Sequence, residues 1–263
     1  MTIQHNRRAW DEMVAKGQRF TRPARDEDFA EPLRRVDPLG WLGGDIRGQS
    51  LLCLAAGGGK HGPLYAAAGA RVTVVDLSPA MLELDRQVAA ERRLELRTVE
   101  TSMDELDMFA AGSFDIVIHP VSTCYVARIG PVYQQVARVT RPGGLYISQH
   151  KSPTSLQAGI LPASRGYELI EPYYRSGALP TVVGSPHREE GTLEYLHRWE
   201  ELLGLMCRAG FAIEDLVEPV HAQADAPLAA FAHRSQYVAP YVRLKARRVG
   251  ESQAAAAKPI WTP

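Results

Sequence analysis

Two kinds of segment alternate along the chain between residues 50 and 150, and they predict an α/β fold. Short runs rich in Val, Ile and Leu are typical of buried parallel strands. Longer segments between them carry apolar residues at helical spacing, which is typical of crossover helices packed on a sheet. Strands are predicted at 50–56, 71–76, 94–99, 114–119 and 145–150, with helices at 60–68, 78–93 and 131–140.

The chain after residue 150 departs from this alternation. Residues 151–191 are rich in Pro, Gly, Ser and Tyr, and long inserts of this kind often form lids or binding loops. Helical spacing returns from Leu193 to Met206, and two last strands are predicted at 211–217 and 236–245. Their connection is too short for a long crossover helix, which indicates an antiparallel pair at the sheet edge.

Composition and charge narrow the possible functions. The 263 residues are 45% hydrophobic and 23% charged, and 30 Lys and Arg balance 30 Asp and Glu. A chain without net charge has no overall field that attracts nucleic acid or anionic lipid. No apolar run approaches the length of a membrane-spanning helix. We therefore expect a cytoplasmic protein with neither nucleic-acid nor membrane partners.

The cysteine and histidine residues are not spaced as the ligands of a metal site are. Cys53, Cys124 and Cys207 are far apart and form no CxxC pair, and the histidines are scattered. We expect neither a disulfide framework nor a metal centre.

A glycine turn follows the first predicted strand. Residues 57–62, Gly-Gly-Gly-Lys-His-Gly, satisfy GxGxxG between a strand and a helix, where glycines let a ligand approach backbone amides. Asp76 ends the second strand, where a carboxylate can accept hydrogen bonds from both hydroxyls of a ribose. Together these features predict a nucleoside-containing cofactor. They exclude a P-loop, because His61 follows Lys60 where that motif requires Ser or Thr.

Four motifs in sequence order resemble the class I S-adenosylmethionine-dependent methyltransferases. They span residues 51–59, 72–81, 112–117 and 141–144. Four ordered motifs are more specific than one glycine turn. The resemblance implies a Rossmann-like, doubly wound α/β sheet of seven strands in the order 3-2-1-4-5-7-6, with strand 7 antiparallel and a cap insertion after strand 5.

The sequence pattern divides the chain into a core and its additions. Residues 1–45 are expected to form an N-terminal helical and loop cap, and residues 46–150 the cofactor-binding core. Residues 151–192 are expected to form a lid or acceptor insertion. Residues 193–248 would complete the core, and residues 249–263 would form a flexible tail.

The implied cofactor is S-adenosyl-L-methionine, with S-adenosyl-L-homocysteine as its product. In this resemblance the glycines approach the methionine portion, Asp76 holds the ribose and Leu77 packs on the adenine. The expected contact set is Ala55, Gly57, Gly59, Asp76, Leu77, Met81, Ser102, Met103 and His119. Three positions depart from the family pattern: Cys53 replaces a usual acidic residue, Ala55 a usual glycine, and Ser102 a frequent Asp.

Candidate catalytic side chains follow the fourth and fifth strands. Methyl transfer from a sulfonium is an in-line displacement, so the enzyme mainly aligns the reactants and supplies a base where the nucleophile carries a proton. His119, Tyr125 and His150 lie at the strand ends where open α/β sheets bind ligands. We expect His119 to act as the base, with an ordinary pKa of about 6.5. Residues 187–190 are expected to form a solvated charged turn.

These features together predict a methyltransferase that acts on a nitrogen or oxygen atom of a small-molecule acceptor. The insert is long enough to enclose a metabolite and is not notably basic. An NAD(P)-dependent oxidoreductase is an alternative, because the glycine turn and Asp76 also satisfy that fingerprint. A non-catalytic protein that binds S-adenosylmethionine is a second alternative. It stays open because Cys53 and Ala55 replace residues that are usual in the family.

Overall fold

One mixed sheet of seven strands organises the computed structural model, which describes residues 2–250. The strands are β1 (Ser50–Leu54), β2 (Arg71–Asp76), β3 (Leu96–Glu100), β4 (Phe114–His119), β5 (Thr140–Lys151), β6 (Phe211–Val217) and β7 (Tyr241–Arg248). Their order is β3-β2-β1-β4-β5-β7-β6. Strands β1 to β5 pair in parallel, and β7 is antiparallel to both of its neighbours. The predicted α/β sheet and its strand order are confirmed.

Helices cover both faces of the sheet. They are α1 (Thr2–Ala15), α2 (Pro32–Val36), α3 (His61–Ala67), α4 (Pro79–Arg92), α5 (Gly130–Val139), α6 (Pro153–Gln157), α7 (Leu205–Arg208) and α8 (Phe231–Arg234). Helix α4 begins where the sequence indicates, because the Ser78 hydroxyl accepts a hydrogen bond from the Met81 amide and Pro79 occupies the first turn.

Alternation of side chains along β1 gives each face of the sheet its own apolar layer. Leu52 packs in the layer that includes Val117 and Tyr146, and α5 closes it. Leu51 and Cys53 point the other way, into a layer shared with Val74 and α3. Both layers are buried, so the carboxyl ends of the central strands are held rigidly at one edge of the sheet.

The predicted helix from residue 193 was wrong over its first half. Residues 193–198 are not helical, and a π-helical turn at Glu200–Gly204 leads into α7. The Asn6 side chain of α1 donates to the Leu193 carbonyl and accepts from the Leu193 amide. The Tyr195 amide donates to the Cys124 carbonyl. These long-range hydrogen bonds satisfy backbone groups that a helix would otherwise satisfy.

The last strand differs from its predicted bounds of 236–245. It begins at Tyr241, because α8 occupies residues 231–234 and a turn follows it. Most of the predicted flexible tail, residues 251–263, lies outside the described residues. Within residues 2–250, no helix has the length and apolarity needed to cross a membrane.

Candidate active site

A cavity of about 480 Å³ lies at the carboxyl ends of β1, β2 and β4. One end is lined by the glycine turn and by Asp76. The rest of the lining includes side chains that come after β5, among them Glu189, His221 and Arg243. Trp10 and Phe20 of the N-terminal segment line it as well. The cavity therefore joins the predicted cofactor site to a second, chemically different wall.

The glycine turn leaves no room for side chains. A Cβ atom at Gly57 would lie 2.8 Å from the Met81 Cβ and 3.0 Å from Asp76 Oδ2. Ala55 has a φ of 47°, in the left-handed region that favours the glycine usual at this position. Gly57 and Ala55 line the cavity, whereas Gly59 does not, and the Gly59 carbonyl accepts a hydrogen bond from the Ala24 amide.

Asp76 fixes the turn at the cofactor end. Its Oδ2 accepts a hydrogen bond from the Gly57 amide and its Oδ1 accepts one from the Ser78 amide, both at 2.9 Å. Burial raises the pKa of this carboxyl to about 6. Each carboxylate oxygen can accept a second hydrogen bond, so Asp76 can hold the turn and still receive ligand hydroxyls.

A second carboxylate supports the glycine turn from α4. Asp85 is fully buried, and its Oδ2 accepts a hydrogen bond from the Gly58 amide at 2.9 Å. Its Oδ1 has no hydrogen-bond partner among residues 2–250. Burial raises the pKa of Asp85 to about 7. Cys53, at the usual acidic position of β1, is also fully buried, so the acid at this turn comes from a helix instead of the strand.

Sequence reasoning missed Asp85, although a signal was present. It lies on the buried face of α4, four residues after Met81 and three after Leu82. An acidic residue at a core position of a helix needs a specific partner, because burial disfavours its charge.

Three of the expected apolar cofactor contacts line the cavity. They are Leu77, Met81 and Met103. Ser102 is buried but does not line the cavity, and its hydroxyl donates to the Asp104 carboxylate. An adenine contact by Ser102 stays a prediction.

His119 lies in a different environment from the one expected. Its Nδ1 is 2.7 Å from the Tyr146 hydroxyl, and its Nε2 has no partner among the described residues. Its side chain lines a neighbouring cavity of about 230 Å³, which shares Gln149 and Arg243 with the larger one. Burial lowers the pKa of His119 to about 3. The expected pKa of about 6.5 was therefore wrong, and the imidazole is neutral near pH 7.

His150 and Tyr125 differ in their access to the cavity. Both ring nitrogens of His150 are engaged at 2.8 Å, Nδ1 with the Thr123 hydroxyl and Nε2 with that of Ser148. His150 lines neither of the two cavities. Tyr125 lines the large cavity and donates its hydroxyl to Glu189 at 2.7 Å. Of the three predicted catalytic residues, Tyr125 alone lines the large cavity.

Buried ion pairs stabilise the part of the cavity wall around Tyr125. Lys151 Nζ lies 2.5 Å from Glu189 Oε2 and 2.7 Å from Glu194 Oε1, and Arg188 Nε lies 2.5 Å from Glu194 Oε2. Burial alone would raise the pKa of Glu189, but the charge of Lys151 and the hydrogen bonds from Lys151, Tyr125 and Glu194 together outweigh it, and the pKa is lowered. The predicted solvated turn at 187–190 was wrong, since the side chain of Glu189 is only 8% exposed.

Comparison with known proteins identifies the family. The sequence profile described as a methyltransferase domain matches residues 52–148. The uncharacterized methyltransferase YbaJ of Bacillus subtilis is 34% identical over 233 residues, which cover 82% of this chain and 90% of that protein. The chain belongs to the class I S-adenosylmethionine-dependent methyltransferases. S-adenosylmethionine is therefore its cofactor, and the oxidoreductase alternative is set aside.

More distant relatives agree with this assignment. A ubiquinone biosynthesis O-methyltransferase of Bordetella avium is 28% identical over 151 residues, 55% of this chain and 63% of that protein. An S-adenosylmethionine-dependent methyltransferase from Mesorhizobium loti superposes with a TM-score of 0.63 at 21% identity, covering 81% of this chain and 97% of that one. Geranyl diphosphate C-methyltransferase from Streptomyces coelicolor superposes with a TM-score of 0.64 at 16% identity. The match covers 94% of this chain and 98% of that one. These two structures show the fold alone.

Proposed function

We propose that this methyltransferase moves the methyl group of S-adenosylmethionine to a nitrogen or oxygen atom of a small-molecule acceptor. One observation carries the proposal: a single cavity runs from the glycine turn to a wall of aromatic and charged side chains. Its volume of about 480 Å³ lies in the usual range for small-molecule sites. The chain has no net charge, which favours a small acceptor over nucleic acid.

The cofactor end fits the methionine, ribose and adenine portions of the cofactor. The turn at Gly57, with no space for a Cβ, would bring backbone amides against the methionine portion. Asp76 would accept hydrogen bonds from the ribose hydroxyls, and Leu77 and Met103 would pack on the adenine. The bound cofactor supplies a methyl group on a positively charged sulfur, so the protein needs no nucleophile of its own.

The insertion and the wall around Tyr125 would enclose the acceptor. Pro186 and Glu189, from the expected insertion at 151–192, line the cavity, which supports a covering role for this segment. Tyr125 and Glu189 would orient a hydroxyl or amino group of the acceptor. His119, which lines the neighbouring cavity, would take up the proton of an acceptor group that extends into that cavity, because its unpaired Nε2 is neutral near pH 7.

Product analysis tests this proposal directly. The protein would be incubated with S-adenosylmethionine and a panel of hydroxylated and amino-substituted small molecules, with formation of S-adenosylhomocysteine as the readout. We expect products that gain one methyl group on nitrogen or oxygen. A methyl group on carbon or sulfur would contradict the choice of acceptor atom. Tight binding of S-adenosylhomocysteine without any transfer would favour a non-catalytic binding protein.

A further inference from the structure

An unpaired guanidinium lies among the cavity-lining side chains that come after β5. Arg243 of β7 is half-buried and lines the cavity, and its Nε donates to Gln149 Oε1 at 2.6 Å. In the described part of the chain its terminal nitrogens make no hydrogen bond and its charge has no carboxylate partner. Arg247, on the same strand, is instead paired with Glu214. Partial burial of an unpaired cation has a desolvation cost, which an anionic ligand would offset.

A histidine beside Arg243 offers a second unpaired polar atom. His221 lines the same cavity, and its buried Nε2 has no partner within residues 2–250. Its ring meets Phe231 and Tyr241 edge-on, with centroid distances of 5.4 and 5.5 Å. Both aromatic rings also line the cavity. Arg243 and His221 therefore offer N–H donors next to flat apolar surfaces.

The balance of charge around the cavity favours an anion. The two lining carboxylates are already engaged, Asp76 by backbone amides and Glu189 by Lys151 and Tyr125. Arg19, Arg22 and Lys60 also line the cavity, and none of them has an ion pair in the described chain. The unmatched charge on the cavity wall is therefore positive.

We propose that the acceptor of this methyltransferase is an aromatic or similarly flat molecule that carries an oxyanion group, which Arg243 and His221 bind. The inference rests on the proposed function, whose acceptor site it specifies. A guanidinium donates in parallel to two oxygens of a carboxylate or a phosphate, and such charged hydrogen bonds are among the strongest in proteins. Gln149 would keep the guanidinium in place, since it receives the Nε hydrogen bond.

Binding to the protein saturated with S-adenosylhomocysteine tests the anion directly. Benzoate, benzamide and phenyl phosphate would each be titrated by calorimetry, so that neutral and charged groups are compared on one ring. We expect benzoate or phenyl phosphate to bind at least about tenfold more tightly than benzamide, and the stronger of the two identifies the oxyanion. Equal binding of all three, or no binding at millimolar concentrations, would overturn the proposal.

Two variants and one control assign the anion to its residues. Arg243→Gln should remove the preference over benzamide, and His221→Phe should reduce it while it keeps an aromatic ring. Arg247→Gln, which breaks an exposed ion pair on the same strand, should keep the preference. A preference that survives Arg243→Gln would overturn the assignment, and so would a loss of S-adenosylhomocysteine affinity in place of benzoate affinity.

Turnover separates the failure of this inference from that of the proposed function. Hydroxybenzoates and aminobenzoates would be compared with the corresponding amides as methyl acceptors, with S-adenosylhomocysteine formation as the readout. We expect higher kcat/KM for the acids. If the acids bind through Arg243 but no acceptor of any class is methylated, the anion site stands and the proposed transfer fails. If the amides are methylated as well as the acids, the inference fails and the transfer stands.

Discussion

The two ends of the cavity are built in different ways. The cofactor end comes mainly from one short stretch of chain, Ala55 to Met81, in which the glycine turn, α3, β2 and the start of α4 follow one another. The acceptor end combines Trp10, Tyr125, Glu189 and Arg243, which are far apart in the sequence. Backbone geometry therefore shapes the first end, whereas side-chain pairs between distant segments shape the second.

This contrast has an energetic counterpart. Glycine positions and backbone amides hold the cofactor end, and they tolerate no added Cβ at Gly57. The acceptor end depends on buried charges at Lys151, Glu189 and Glu194. Removing one member of a buried ion pair leaves its partner charged and desolvated. Substitution of a single charged residue should therefore lower the free energy of unfolding most at the acceptor end.

The largest effect is expected from Lys151→Met. It leaves Glu189 without its cation and Glu194 with Arg188 alone, and should lower the free energy of unfolding by about 3–5 kcal/mol. Denaturant unfolding measures the loss. Lys16→Met, which breaks an exposed pair with Glu12, is the matched control and should cost less than about 1 kcal/mol. Similar losses in both variants would show that the buried charges do not hold the wall.

A pH-dependent effect is expected at the cofactor end from Asp85→Asn. The pKa of Asp85 is raised to about 7 in the folded protein, so between pH 4 and 7 the folded state binds a proton that the unfolded state releases. Stability from this group is present at low pH and is lost as the pH rises through 7. The amide cannot ionise but still accepts from the Gly58 amide.

The measurement is the difference in unfolding free energy between Asp85→Asn and the parent at several pH values. As the pH rises from 4 to 8, the unfolding free energy of the parent should fall by about 3 kcal/mol relative to that of Asp85→Asn. Asp76, with a pKa near 6, remains in both proteins and largely cancels in this comparison. A difference that does not change with pH would show that Asp85 is already ionised at pH 4.

Sequence reasoning succeeded where the relevant signal is local. The strands, the glycine turn, Asp76 and the crossover helices follow from apolar patterning and turn residues over short windows, and the observed sheet matches them. It failed at residues 193–198, where Asn6 replaces helical hydrogen bonding, and at Glu189, where Lys151 makes burial of a charge favourable. Neither pairing is visible in a local window, because each joins segments distant in the chain.

Asp76→Ala should separate cofactor affinity from acceptor affinity. The change removes the acceptor of two backbone amides and the proposed ribose ligand, so we expect S-adenosylhomocysteine to bind about 30- to 100-fold more weakly. Calorimetry measures this loss. Asp76→Asn keeps an acceptor oxygen and should lose less. Unchanged affinity in the alanine variant would show that Asp76 supports only the turn.

His119→Asn should lower turnover without a comparable loss of cofactor affinity. Asparagine can keep the hydrogen bond to the Tyr146 hydroxyl while it removes Nε2. We expect kcat to fall by about 10²-fold, the low end for a general base, because burial makes this imidazole weakly basic. The parent should show no activity limb near pH 6.5 from this residue. Full turnover in the variant would leave Tyr125 as the remaining candidate at the cavity wall.

The smallest effect is expected from Tyr125→Phe, which tests whether the two ends are functionally separate. The variant loses one hydrogen bond to Glu189, but Glu189 keeps Lys151, and the ring keeps its edge-on contact with Trp10 at a centroid distance of 5.6 Å. A hydrogen bond to a charged group contributes about 1.5 kcal/mol or more, so we expect kcat/KM for the acceptor to fall about tenfold. S-adenosylhomocysteine should bind as it does to the parent, because the glycine turn is untouched. Tyr125→Leu removes the ring as well and should weaken acceptor binding further. An equal loss of cofactor affinity in Tyr125→Phe would show that the two ends of the cavity do not act independently.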